Sequence, residues 1–493
     1  MPKEYFEKLH DHKSPPTFKF FNGEKWTESL TGKTSDVISP LDNHILGKIQ
    51  LVSHSEIDQA IEKAHQAQLV WRDIPMIKRA KILHLAADWI RHHEHYLTTL
   101  LIKEIGKTVT EAKDEILRSA DMIDYFANEG LHITGEELSG EAFPGYDQTK
   151  MAIIERVPLG VILAISPFNY PINLSVSKIA PALIMGNAVV FKPPTQGSIS
   201  SLHLTEIFRI AGVPDGAVVT ITGGGNDVGD YLCTHSGIDM VTFTGSSPVG
   251  KSIAEKIGMI PILFECGGNN PALVLPDSDL NFTAAEVVKG AFSYSGQRCT
   301  AIKYVLGLTP TMEKLLPLVV VKTKEIIKMG DPRNEGNNMG PVISDAAADE
   351  IEKRILEARA KGARIVLGGR RDGRYIEPTI LENVTVAMEI LHVETFGPVV
   401  SFIKVKSIDE AIKIINESDY GLQASIFTND EGSGIKLAKL INVGTVQINS
   451  KPQRGPDHFP FLGVKGSGSG VQGIRYTLEA MTRLKPIVLN KPQ

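Results

Sequence analysis

The sequence predicts an α/β protein of two or more domains built on doubly wound parallel sheets. From Val157 onward, short β-branched runs alternate with segments mostly long enough for crossover helices. The alternation resumes past Glu265 as a second series, which argues for a second open sheet. At 493 residues the chain also exceeds what one core usually carries.

Residues 1–50 carry prolines, glycines and short β-prone pieces such as Phe18 to Phe21, and read as an edge hairpin or arm. Ser53 and Glu56 form a capping-box pattern ahead of Ile57, Ala60, Ile61 and Ala64 at helical spacing. A second helix is expected from about Ile77 to Thr99. It carries His92, His93, Glu94 and His95, a cluster without the i, i+4 spacing of a metal pair, so it reads as a solvated face. A third helix, from about Thr110 to Glu129, places Arg118 one turn before Met122.

The first αβ series holds VPLGVILAIS, AVVFK, AVVTIT, DMVTFT and PILFE. The second runs from PALVL through the helix leading to Cys299, helices near Glu313 to Lys328 and Ser344 to Lys361, and the strands SFIKV, ASIFT and TVQIN. A Ser407–Glu410 capping box opens a helix that ends near Glu417. KGSGSG, at 465–470, reads as a flexible connection. The terminal strand, about Arg483 to Leu489, shows no obvious partner within the chain, which predicts pairing with another subunit.

Composition narrows the function classes. A charged fraction of 22%, a hydrophobic fraction of 42% and a net charge of −5 describe an ordinary soluble protein with no electrostatic footprint for nucleic acid. The N-terminus is too charged for a signal peptide, and no stretch approaches the ~20 apolar residues that span a bilayer. A cytoplasmic location without membrane contact is expected. Cys233, Cys266 and Cys299 lack C-x-x-C spacing, which argues against disulfides and against a metal site.

Within FSYSGQRCT, Cys299 follows Arg298 at what reads as a helix end. A neighbouring guanidinium favours the thiolate, so Cys299 is the candidate nucleophile, against the bland alternative of a small buried hydrophobe. At expected strand ends stand Gly223, Gly224, Gly225 and Gly229, and again Gly245, Ser246 and Gly250. Such loops let a backbone approach a pyrophosphate at a helix N-terminus, yet neither is a G-x-G-x-x-G with its acidic residue beyond. By themselves they fit tight turns equally well.

PFNYP (167–171), FTGS (243–246), ECGG (265–268), GQRC (296–299) and TFGP (395–398) together resemble the aldehyde dehydrogenase superfamily, in order and spacing, over nearly the whole chain. The resemblance implies a Rossmann-type cofactor domain (1–136 and 159–266), an α/β catalytic domain (267–472) and a small β oligomerisation or bridging element (137–158 and 473–493). It further implies a homo-oligomer, a tetramer arranged as a dimer of dimers. Cys299 would attack the aldehyde, and Asn169 with the Cys299 backbone N–H would hold the oxyanion. Glu265, expected to be partly desolvated with a raised pKa, would activate water against the thioester, its bland alternative being a salt-bridged carboxylate.

The resemblance also implies NADP as cofactor, with NAD admitted as a second. Lys192 would hold the adenosine ribose, Ser246 the pyrophosphate, and Glu394 with Phe396 the nicotinamide ribose. Ser166, Pro167, Gly225, Gly229, Thr244 and Gly245 complete that site. Thr195 stands where NAD-preferring relatives carry a glutamate, which favours a 2'-phosphate. Gly224 stands where some NADP-preferring relatives have an arginine, and Asn269 replaces the lysine usual after Glu-x-Gly-Gly.

KPPTQGSIS (192–200), YSGQRCTA (294–301) and QRGPDHFPFLG (453–463) are similar to the non-phosphorylating glyceraldehyde-3-phosphate dehydrogenase branch. That branch implies a substrate-phosphate site of Arg118, Tyr170, Arg298 and Arg454, beside Asn169, and oxidation to 3-phosphoglycerate without inorganic phosphate. One alternative is another small aldehyde: guanidinium forks suit carboxylates too, which keeps succinic semialdehyde open, whereas the arginine set weighs against the uncharged lactaldehyde. A catalytically silent protein on the same fold is a second alternative, and Cys299, Glu265 and Asn169 weigh against it. A cysteine hydrolase is disfavoured, because no histidine stands near Cys299 in sequence.

Overall fold

The computed structural model describes residues 3–490. Its first sheet is built on five parallel strands, Val161–Ile165, Ala188–Lys192, Val218–Thr220, Met240–Thr244 and Ile262–Glu265. In space their order is fifth, fourth, first, second, third. The first, second and fourth strands are buried along their whole length, which is why they read as unbroken apolar runs rather than alternating ones. The winding reverses between the first and fourth strands, so the segments after Ile165 and Thr244 flank a crevice.

The second sheet has seven strands in the order Arg364–Leu367, Thr379–Glu382, Val399–Val405, Ile302–Leu308, Asn270–Val274, Gln423–Phe427 and Thr445–Ile448. Only Arg364–Leu367 runs antiparallel to its neighbour. Helices Leu280–Phe292 and Thr309–Ile326 cover one face, and Asp345–Ala360 and Ile408–Glu417 the other. Thus the expected α/β class holds, with two doubly covered sheets.

Local signals account for much of the helical layer. Ser53 and Glu56 make the reciprocal capping box at the head of His54–Trp71, and Ser407 caps Ile408–Glu417. A second box, Thr108 with Glu111, heads the helix Val109–Gly130 that carries Arg118. The expected Ile77–Thr99 helix is instead two, Met76–His92 and Glu94–Ile105, broken at His93. The His93 ring is buried against Phe6 and Trp89, with centroids 5.1 and 5.5 Å away, so that histidine belongs to the core while His92 and His95 stay exposed.

Three expectations need correcting. The first fifty residues supply the edge hairpin Phe20–Phe21 with Trp26–Thr27, but also a separate three-stranded sheet from Thr17–Phe18, Ile45–Gln50 and Thr34–Ile38. KGSGSG is no flexible connection: Gly468–Ser469 pairs antiparallel with Phe264 and Glu265 as an edge strand. The Ser467 carbonyl accepts from Cys266 N (2.9 Å), and its hydroxyl donates to the Gly267 carbonyl (2.6 Å). Low complexity here reflects close backbone approach.

The terminal strand Thr482–Asn490 does have an intrachain partner, pairing along its whole length with Lys150–Pro158, which pairs in turn with Glu136–Ser139. More than three hundred residues separate those partners, so no local pattern reveals the pairing. The strand stands at the edge of its sheet and leaves Leu484, Ile487, Val488 and Leu489 exposed.

Candidate active site

Cys299 lies between the helix Leu280–Phe292 and the strand Ile302–Leu308, where the two sheets meet. The helix stops at Phe292, so Cys299 is not at its end. A left-handed turn intervenes, with positive φ at Tyr294 (48°), Ser295 (52°) and Gly296 (68°). A Cβ at Gly296 would overlap the Gly397 carbonyl, which explains physically why GQRC and TFGP occur together. The Ser295 hydroxyl anchors the turn on the Gly340 carbonyl at 2.6 Å.

Asn169 follows the first strand of the first sheet and is buried. Its Nδ2 donates to the Gln297 carbonyl at 3.1 Å, two residues before Cys299. Glu265 ends the fifth strand, with Oε1 3.7 Å from the Cys299 sulfur and Oε2 2.7 Å from Nη1 of Arg454. The carboxylate is therefore buried, as expected, and salt-bridged as well: the two readings of Glu265 describe one residue.

The thiol departs from expectation. Burial, then the charges of Glu265 and Glu394, push the Cys299 pKa well above the ordinary thiol value, and Arg454 and Arg298 only oppose this. Arg298 itself donates to the Gly290 carbonyl at 2.8 Å, while its Nε is buried without a partner among the described residues. Glu394 accepts from the Gly268 N–H at 3.1 Å. A methyl group at Gly267 would overlap the Glu394 carboxylate, so the glycines of ECGG are what let Glu265 and Glu394 share this site. Burial raises the Glu394 pKa and lowers that of Lys303, whose amine stands 5.8 Å from the centre of the Phe396 ring.

A cavity of about 800 Å³ opens from Cys299 along the carboxyl ends of the first sheet. Ser166, Pro167 and Lys192 line it from the first and second strands, and Thr244, Gly245 and Ser246 from the fourth. Gly225 and Gly229 line it too, as do Phe396 and Glu394, whose charge reaches Cys299. Thr195 does not reach this wall: it is half-buried, and its carbonyl accepts from Ser198 Oγ.

These walls fit a nucleotide carrying phosphates. The Lys192 amine is buried, has the Pro193 carbonyl (3.3 Å) as its one hydrogen-bond partner among the described residues, and has its pKa pushed down to about 8 by burial. Ser246 heads the helix Ser247–Lys256 without making a side-chain cap, and Ser247 Oγ is buried and unpartnered among the described residues. Lys192 and Ser246 thus leave donors facing the cavity, Ser246 at a helix N-terminus. An arginine at 224 would meet Asp227, whose carboxylate caps the Gly224 N–H at 3.2 Å. Asn269 is buried and donates to the Leu391 carbonyl at 2.9 Å.

The arginines lie on the opposite side of Cys299. Arg118 binds Asp457 through two bonds of 2.7 Å and donates to the Arg454 carbonyl at 2.9 Å. Arg454 lines a second cavity, of about 300 Å³, with Asp457 and Phe461. Tyr170 stacks under the amine of Lys107, 3.4 Å above its ring, and Lys107 is ion-paired with buried Glu115. Sequence reasoning missed Asp457, and also Lys178, whose amine donates to Thr244 Oγ1 (2.6 Å) and is pushed down to about 7 by burial, against the opposing charge of Glu265. A lone lysine in the apolar helix Asn173–Ile184 was the available signal.

The family model of the aldehyde dehydrogenases matches residues 26–487. The chain belongs to the aldehyde dehydrogenase family. Among aldehyde dehydrogenases it is 45% identical over 471 residues to the NADP-dependent glyceraldehyde-3-phosphate dehydrogenase of Streptococcus equinus, covering 96% of this chain and 98% of that one. The enzyme of that name from Pisum sativum is 43% identical over 477 residues, 96% of each chain. A solved structure of the Bacillus halodurans C-125 enzyme, complexed with NADP, superposes with a TM-score of 0.94 at 46% identity, covering 96% and 99% of the two chains. Among the described residues no helix is long and apolar enough to cross a membrane, and no His/Cys/Asp/Glu group could hold a metal ion.

Proposed function

We propose that this chain oxidises D-glyceraldehyde 3-phosphate to 3-phosphoglycerate with reduction of NADP, and with NAD admitted as a second nucleotide, without inorganic phosphate. The observation that carries the reading is the placement of Arg454 on Glu265, with Arg118 joined to Arg454 through its carbonyl and Asp457, beside a Cys299 that also lines a cavity fit for a dinucleotide. Bidentate guanidiniums match a phosphate dianion, and a neutral aldehyde gives no reason to place two of them there. The relatives' names support the same substrate and cofactor.

In this reading the Cys299 thiol releases its proton to solvent and the thiolate adds to the aldehyde carbon, giving a thiohemiacetal oxyanion held by Asn169 Nδ2 and the Cys299 backbone N–H; loss of hydride from that carbon leaves the thioester. NADP, when bound, supplies the hydride acceptor. Lys192 and Ser246 hold the nucleotide, with Glu394 and Phe396 orienting its far end and Ser166, Pro167, Gly225, Gly229, Thr244 and Gly245 shaping the wall. Thr195, in the turn it closes with Ser198, leaves no carboxylate to repel a 2'-phosphate. Glu265 then takes a proton from water, whose oxygen adds to the thioester carbon as the carbon–sulfur bond breaks. Arg118, Tyr170, Arg298 and Arg454 bind the phosphate.

The same reading divides the chain into a cofactor domain (1–136 and 159–266), a catalytic domain (267–472) and a bridging element (137–158 and 473–493). The exposed outer edge of Thr482–Asn490 supports assembly into a cytoplasmic homo-oligomer, a dimer of dimers. The deciding experiment is a panel of aldehydes against both nucleotides with phosphate omitted. Glyceraldehyde 3-phosphate should give the highest kcat/KM; a requirement for phosphate, or preference for succinic semialdehyde or lactaldehyde, refutes the substrate assignment.

A further inference from the structure

We propose that Arg454 makes hydrolysis conditional on the substrate's phosphate: its ion pair locks Glu265, and the phosphate frees Glu265 by taking over the guanidinium. This deepens, and rests on, the phosphorylated-aldehyde reading. Both oxygens of the Glu265 carboxylate are engaged, Oε2 by Arg454 at 2.7 Å and Oε1 by the Cys299 thiol at 3.7 Å. Acylation removes the thiol proton and frees Oε1, so in the acyl-enzyme it is the Arg454 ion pair that holds the carboxylate in place and lowers its affinity for a proton from water.

Arg454 is one link in a chain that runs from the base to the phosphate site. Its Nη1 holds Glu265, its Nη2 donates to Gln472 Oε1 at 2.7 Å, and its Nε stands 3.5 Å from Asp457. Asp457 is held by Arg118 in turn. Two guanidiniums are thus matched by two carboxylates of single charge. A phosphate dianion placed between Arg118 and Arg454 offers each more charge than one carboxylate does, and three acceptor oxygens for their forks. As it takes Arg454 it also repels the Glu265 carboxylate, which can move toward the Cys299 side, where the buried Lys178 lies within electrostatic reach. Arg454 is therefore a positioning residue for the base as well as a ligand for the phosphate.

The consequence is a separation of steps. Glyceraldehyde, which lacks the phosphate, should acylate Cys299 and then hydrolyse slowly, because Glu265 stays locked. Phosphite dianion, supplied separately, should fill the phosphate site and release it. The test is rapid mixing of the NADP-loaded enzyme with glyceraldehyde at constant ionic strength, with and without phosphite. The burst of NADPH reports acylation and the steady state reports hydrolysis. Phosphite should leave the burst rate unchanged and raise the steady-state rate on the order of tenfold or more.

Arg454→Gln should hydrolyse the glyceraldehyde acyl-enzyme at the raised rate without phosphite and ignore its addition. Arg454→Lys keeps the charge without the fork and should retain a smaller phosphite response. Phosphite that only inhibits, or leaves the steady state unchanged while glyceraldehyde 3-phosphate is still preferred, overturns the coupling alone. An enzyme that does not prefer glyceraldehyde 3-phosphate to glyceraldehyde overturns the substrate reading, and the coupling with it.

Discussion

Cys299 separates two regions built on opposite principles. On the nucleotide side an open cavity is walled by strand ends, glycines and hydroxyls, with donors at Lys192 and Ser246 left without strong partners. On the substrate side the charged groups already satisfy each other: Arg118 with Asp457, and Arg454 with Glu265. The first region is pre-organised to receive a ligand with little rearrangement. The second can receive an anion only by exchanging partners, which makes ligand binding there a change in the state of the catalytic groups.

Asn169 lines the cavity where it meets Cys299, between the two regions, and removing it gives the largest expected effect. If its amide serves only the oxyanion, Asn169→Ala should lower kcat by about 10²–10³-fold while both KM values move little. A comparable rise in the KM for glyceraldehyde 3-phosphate would instead assign Asn169 to the substrate side, and the division at Cys299 would shift by a residue.

The thiol offers a finer measure of the same contrast, because it feels carboxylates from both sides. Its pKa is raised by burial first, then by Glu265 from the substrate side and Glu394 from the nucleotide side. A raised pKa leaves only a small thiolate fraction at neutral pH, and that fraction grows as pH rises. Without nucleotide, alkylation of Cys299 by iodoacetamide should accelerate about tenfold per pH unit from pH ~6 to ~9 with no plateau. Glu265→Gln should speed alkylation at fixed pH more than Glu394→Gln does. A plateau near neutrality would mean that the arginines outweigh burial.

Which of these features were legible in the sequence follows from their range along the chain. The sheets, the Ser53 and Ser407 caps and the residues Cys299, Glu265 and Asn169 lie in periodicities or contiguous motifs. The reading of Arg298 as an activator of the thiol followed adjacency in sequence, whereas burial decides the balance. The KGSGSG strand was hidden because composition mimics a linker wherever glycine serves close packing. The Arg454–Glu265 and Arg118–Asp457 pairs span 189 and 339 residues, and no local pattern announces contacts of that separation.

The smallest effect discriminates most finely, since it compares the same residue type at the same helical position in two places. Ser53 has its hydroxyl committed to the Glu56 N–H and the Glu56 carboxylate, so its role is in the fold. Ser246 occupies the same N-cap position on Ser247–Lys256 but makes no cap bond, and it faces the cavity. Ser53→Ala should therefore cost about 1 kcal/mol of stability and leave NADP affinity unchanged. Ser246→Ala should leave the melting temperature unchanged and weaken NADP binding by about threefold to tenfold, as loss of one neutral hydrogen bond does. Calorimetric melting and nucleotide titration on the two variants check both halves. Equal destabilisation would show that Ser246 is an ordinary cap and that the nucleotide side is no more open to its ligand than the substrate side.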